Sequence, residues 1–152
     1  YFPENEALRL EVHVEKLFDQ QPMQMQTSTG GVQTYVRHSL FKFQVEGEEA
    51  ELTIYQNENG YFLPFVDSLA GNETYPAGRY LEVEQTRPGR YLVDFNLTYN
   101  PLCAYGGMFN CPITPRESRL RAAVRAGEKG YHEDAPGAAA AATTPAQSGS
   151  GG

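Results

Sequence analysis

Asp67, Glu73, Tyr75 and Arg79 fall in one polar stretch, FLPFVDSLAGNETYPAGRYLEV, residues 62–83. Asp67 or Glu73 can act there as general base, with the Tyr75 hydroxyl or Arg79 stabilising negative charge. Arg79 can also hold an anion through two parallel bonds. Ordinary turn chemistry uses the same residue types: Asp67 and Thr74 as turn caps, Arg79 as the partner of a carboxylate. A second stretch, DFNLTYNPLCAYGGMFNCPITPRESRL, residues 94–120, leaves a strand and runs through two cysteines. Asp94, Asn96 and Thr98 share one strand face, where they line a pocket mouth or simply meet solvent; Tyr99, Asn100 and Pro101 then turn the chain. A third, RESRLRAAVRAGEKGY, sets Arg116, Arg119, Arg121 and Arg125 on an acidic chain. These arginines suit a phosphate or carboxylate ligand, or ion pairs with Glu82, Glu84 or Asp94.

Cys103 and Cys111 stand eight apart, which is no CxxC redox or zinc motif. His13, His38 and His132 have no ligand spacing, so no metal site is expected; a copper site using Met108 is a minor alternative. The main readings are a disulfide, which would stabilise by about 2–3 kcal/mol, and two buried thiols packed as small hydrophobes. No phosphate-binding loop, dinucleotide fingerprint, nucleophile elbow or HExxH motif is present, and the residues name no cofactor.

Several function classes drop out on composition. The formal net charge is −7, against the basic surface that nucleic acid needs. There is no run of about 18 apolar residues, so no transmembrane helix is expected. The chain opens at Tyr1 without methionine, and two sequons, at Asn72 and Asn96, decide nothing about secretion. The expectation is a soluble protein, with export by an upstream segment left open.

The elements that must position these residues read with period two. Leu8, Leu10, Val12 and Val14 alternate with Arg9, Glu11, His13 and Glu15, as in a half-buried strand. Phe41, Phe43 and Val45 lead to a turn near Glu46–Glu49, and Leu52 and Ile54 return. Leu81 and Val83 lead to Arg87-Pro88-Gly89-Arg90, after which Tyr91, Val93, Phe95 and Leu97 should face inward. MQMQTSTGGVQTYVRH fits two short strands around Gly30-Gly31, and RLRAAVRAG a last strand or short helix. The pattern predicts one mainly antiparallel β domain over residues 1–132, a sandwich or a partly open barrel with long polar loops. Residues 133–152 read as a flexible, disordered Ala/Gly/Ser/Pro-rich tail.

The stretches FLPFVDSLAGNETYPAGRYLEV, VDFNLTYNPLCAYGGMFNCPITPRESRL and RAGEK together resemble the domain-of-unknown-function family DUF1684. The matching positions include Asp67, Gly71, Glu73, Thr74, Tyr75, Gly78, Arg79, Asp94, Asn96, Tyr99, Asn100, Cys103, Cys111 and Ala126 to Lys129. Leu69-Ala70 stands where the family has Thr-Ser, Leu102 replaces a proline and Ser118 an asparagine. The resemblance supplies no reaction. It implies that the two long loops meet in one site and that the cysteines act as a pair.

The expected function is binding of a small polar or anionic ligand in a cleft walled by residues 64–79 and 94–112. Arg79 and Arg125 would fix the anion; Asp67, Glu73, Tyr75 and Asn96 would orient it, and Asp94, Tyr99 and Asn100 complete the lining. The alternatives are a hydrolase-like enzyme with a carboxylate base in that cleft, and a structural module that meets a protein partner.

Overall fold

The computed structural model describes residues 1–18, 20, 22–105 and 111–130. The strands are β1 (Arg9–His13), β2 (Glu15–Lys16), β3 (Pro22–Gln26), β4 (Val32–Val45), β5 (Glu48–Asn57), β6 (Gly60–Phe65), β7 (Arg79–Arg87) and β8 (Arg90–Asp94). They form one eight-stranded sheet in the order β1-β8-β7-β6-β5-β4-β2, with β3 also beside β4. Every strand pair is antiparallel. Residues 9–16 close the sheet: β1 pairs with β8 at one edge and β2 with β4 at the other, with Val14 between them. The fold is therefore the nearly closed barrel of the two expected architectures. The tail expected over 133–152 lies outside the described residues, as do Met108 and His132.

Alternation fills the interior as the sequence pattern requires. Val12, Phe41, Phe43, Val45, Leu52, Ile54, Leu63, Phe65, Leu81, Val83, Tyr91, Val93 and Phe95 make one buried cluster. Each large apolar side chain so buried contributes about 1.5–3 kcal/mol. The β4–β5 turn is Glu46-Gly47, both with positive φ (50° and 80°), the two-residue turn whose twist suits a hairpin.

Three segments differ from expectation. Leu97 is exposed, not inward, because the Asp94 carboxylate accepts the Asn96 N–H and starts a 3-10 turn that ends the strand. Residues 120–130 form neither a ladder strand nor a helix. They run irregularly across the barrel end, burying Ala122, Val124 and Ala126 in the core cluster. Val32 to Val45 is one long strand, with a register shift between Arg37 and Ser39. His38 is the extra residue there, and a bulge reverses the in–out alternation. Phe41 and Phe43 thus face the interior while Tyr35 faces outward.

That outward side carries a second cluster of Met25, Tyr35, Tyr55, Phe62 and Tyr80, with Met23 and Tyr99 against it. A sheet apolar on both faces needs a cover on each. Residues 98–105 and 111–114 cover the outer one: Tyr80 and Tyr99 exchange backbone hydrogen bonds (2.9 and 3.0 Å), and Thr27 bridges Pro112.

A candidate ligand site on the outer face

Arg79 and Asp67 are both about 1% exposed in their side chains and paired at 3.0 Å. The Arg79 guanidinium also donates to the carbonyls of Val124 (2.9 Å), Ala126 (2.6 Å) and Glu128 (3.2 Å). The Asp67 carboxylate accepts the Val124 N–H (2.8 Å), the Leu69 N–H (3.3 Å) and the Thr74 hydroxyl (3.4 Å). Burial pulls the guanidinium below its ordinary value, and Asp67 opposes this. The pair holds residues 124–128 against the 66–79 loop.

The second loop grips the same strip from its other side. The Glu128 N–H donates to the Thr98 carbonyl (2.9 Å), and the Glu128 carboxylate accepts the Asn100 N–H (2.8 Å) and the Tyr105 hydroxyl. The Asn100 amide donates to the Lys129 carbonyl (2.9 Å). The two loops thus converge, and residues 122–130 lie between them. Gly127 fits only because it lacks a side chain: with φ of 79°, a Cβ would come within 2.8 Å of the Phe95 and Thr98 carbonyl oxygens.

The other sequence candidates lie around this strip. Glu73 and Glu46 both pair with Arg125 (3.1 and 2.9 Å), an exposed side chain. Tyr75 is half-buried, and its carbonyl accepts the Gly78 N–H. The Asn96 amide donates to the Asp94 carboxylate and to the Asn5 carbonyl and accepts the Asn5 N–H, while Asp94 pairs with Arg9 at 3.6 Å. Cys103 and Cys111 are bonded, with Cα atoms 6.3 Å apart. The Ser28 hydroxyl accepts the Cys111 N–H, and the Ser28 N–H donates to the Cys111 carbonyl, anchoring the bonded loop to the β3–β4 turn. Among the described residues no three His, Cys, Asp or Glu side chains converge as a metal site requires.

Open space lies next to this knot, over the outer aromatic cluster. A cleft of about 240 Å³ is lined by Gln33, Tyr35, Asn57, Phe62, Tyr80, Glu82, Tyr99 and Pro112, with Asn59, Gly60 and Tyr61 at its edge. Of the sequence candidates, Tyr99 alone lines it. Tyr35 and Phe62 stack at 5.5 Å; Phe62–Tyr80 (4.9 Å) and Tyr80–Tyr99 (6.1 Å) meet edge-to-face. The Tyr99 hydroxyl donates to Glu82, Tyr80 to the Pro112 carbonyl, and Tyr35 to Gln33 (3.1 Å). All three phenols are raised above their ordinary value, chiefly by burial, so they stay neutral and keep their protons to donate. Sequence reading missed Tyr35, Phe62 and Glu82. The signal was the outward set Tyr80, Glu82 and Glu84 on β7, where an aromatic sits on what a plain barrel would leave as a wet face.

Fold and site together define an antiparallel β-barrel-like protein with an aromatic cleft on its outer face. The chain belongs to the family described as "Protein of unknown function (DUF1684)", whose model matches residues 1–129. It is similar to the solution NMR structure of the uncharacterized protein from gene locus rrnAC0354 of Haloarcula marismortui. That likeness has 32% identity and a TM-score of 0.68, covering 85% of this chain and 74% of the other. No curated protein matches the chain. Among the described residues no helix is long and apolar enough to cross a membrane.

Proposed function

We propose that this protein binds a small polar ligand in the cleft formed by Tyr35, Phe62, Tyr80, Glu82 and Tyr99. The observation that carries the reading is a preformed aromatic hollow with a few convergent polar groups, the usual composition of a small-molecule site. At about 240 Å³ it lies just below the roughly 300–1,000 Å³ of drug-sized pockets, so it suits a head group or small metabolite. Residues 124–129 bond to both the 64–79 and the 94–112 loops, between which the ligand was first expected, and this supports a site on the outer side of the second loop. In this reading Asp67, Arg79, Asn100 and Glu128 act as frame: they fix residues 98–100, and so place Tyr99 over the cleft.

The test is an NMR titration of tyrosine-labelled protein with a panel of small amines, amides and methyl glycosides. At least one compound should shift the ring signals of Tyr35, Tyr80 and Tyr99 and leave Tyr91, in the barrel interior, unmoved. Silence of those three rings across the panel overturns the proposal and returns the protein to a structural or interaction role.

A further inference from the structure

We propose that the ligand of this cleft is a small organic ammonium ion, seated on the aromatic wall beside Glu82; this rests on the cleft being the binding site. Three independent features of the lining point to positive charge.

The first is formal charge. Glu82 is the charged side chain among the cleft residues. Two further depressions share its rim, one through Gly60, Tyr61 and Glu82, the other through Gln33, Tyr35 and Asn57. Among the described residues these add Glu84 and Glu58 and bring no Lys, Arg or His. A concave surface lined by one sign of charge concentrates the opposite ion.

The second is the direction of the hydroxyls. A phenol has one proton to donate and lone pairs to accept with. Tyr99, Tyr80 and Tyr35 all spend their protons on Glu82, Pro112 and Gln33. What Tyr80 and Tyr99 keep for a ligand is acceptor lone pairs and ring surface, while the Tyr35 oxygen also has Asn57 as a partner. Among the described lining residues an anion would find no cation, and its bonds would have to come from the rim amides. A cation needs nothing but acceptors. Asn57 and Gln33 at the rim can serve the hydroxyl or carbonyl of such a ligand's tail.

The third is the rings themselves. The negative face of an aromatic ring attracts an ammonium group, more strongly where water is excluded. Tyr35, Phe62 and Tyr80 are each less than a tenth exposed, so the part of each ring that meets the cleft is largely shielded from bulk solvent. Tyr99 closes one side, held by its bond to Glu82 and its backbone pairing with Tyr80.

The experiment titrates the full chain with choline chloride and with 3,3-dimethylbutan-1-ol, which has the same shape without the charge, at matched ionic strength. Methyl β-D-glucopyranoside serves as the neutral polar probe. Choline should shift the ring signals of Tyr35, Tyr80 and Tyr99, and the uncharged analogue should bind at least about tenfold more weakly. Glu82→Gln keeps an acceptor for Tyr99, and should weaken choline by about tenfold while its melting temperature stays at the wild-type value. Equal binding of choline and the uncharged analogue at these rings overturns the charge inference and leaves the cleft standing. Binding of the glycoside without choline does the same. If none of the three moves the rings, the inference and the cleft both fall.

Discussion

Arg79 has its guanidinium in the barrel end with four acceptors around it, and Asp67 has its carboxylate under three donors besides Arg79. Removing one partner of a buried pair strands the other charge, which costs about 3–5 kcal/mol. Arg79→Ala and Asp67→Ala should each lower stability by about that amount, read as the urea midpoint. The double variant should cost clearly less than the two single effects added. Arg125→Ala, whose side chain is half exposed, should leave the midpoint nearly where it was. Additive losses at Asp67 and Arg79 would refute the coupling. At this scale the sequence showed which residues matter but not what they face. An arginine and an aspartate in a polar loop suit an anion site and a buried pair equally well. The acceptors that decide between them are carbonyls of Val124, Ala126 and Glu128, more than forty positions away. The cysteines stayed open between a disulfide and two buried thiols, because an eight-residue spacing suits both; the bond is seen only in the structure.

On the scale of an element, the β4 bulge does the most. Val32 to Val45 reads as two strands because its inward set changes parity at His38, and alternation alone cannot distinguish a bulge from a break. The extra residue turns His38 inward, against the rings of Tyr61 and Tyr91 and the Ser39 hydroxyl. Burial, with nearby Lys16 adding to it, lowers the His38 value from its ordinary 6.5. A group depressed on folding stabilises the protein above its unfolded value and loses that contribution as pH falls through the folded one. Stability should therefore begin to drop below about pH 6.5, and His38→Gln should flatten that first drop. Glu117 should add a second, more acidic loss. Burial pushes its carboxyl up, but bonds from Arg37 and Tyr55 outweigh this and hold it below its ordinary 4.5. Denaturation midpoints between pH 3 and 8 for wild type and His38→Gln check the order of the two phases. A wild-type curve flat down to pH 5 would remove His38 from the account. The 122–130 strip gives a second element-scale prediction. Gly127→Ala should destabilise by more than about 1 kcal/mol, since it adds both a clash and a disfavoured φ. Its alternation was visible in the sequence; its role as a strip held between two loops was not, because it joins no long ladder.

Across the whole molecule, period-two patterning was enough to assign a mainly antiparallel β domain, but left a sandwich and a partly open barrel both standing, because closure was not legible. It depends on residues 9–16 serving both edges, and nothing in LRLEVHVE marks the point where one pairing ends and the other begins. Nor did the pattern show that one half of the sheet is covered twice. Strands β4 to β7 place the core cluster on one side and the aromatic cluster on the other. β1 and β8 contribute to the core cluster alone, and β2 is two residues long. Amides open as cooperative units, and those with the most buried apolar contact open last. Hydrogen exchange should therefore be slowest in β4–β7, particularly around Tyr55, Phe62 and Tyr80, and faster at the β1–β8 and β2–β4 seams. Uniform protection around the barrel would mean that the seams close as firmly as the middle and that the outer cluster adds no stability of its own. A gradient ending at the aromatic cluster would place the proposed cleft on the most rigid part of the sheet. A preorganised wall there keeps its shape without ligand, so little ordering would be needed on binding.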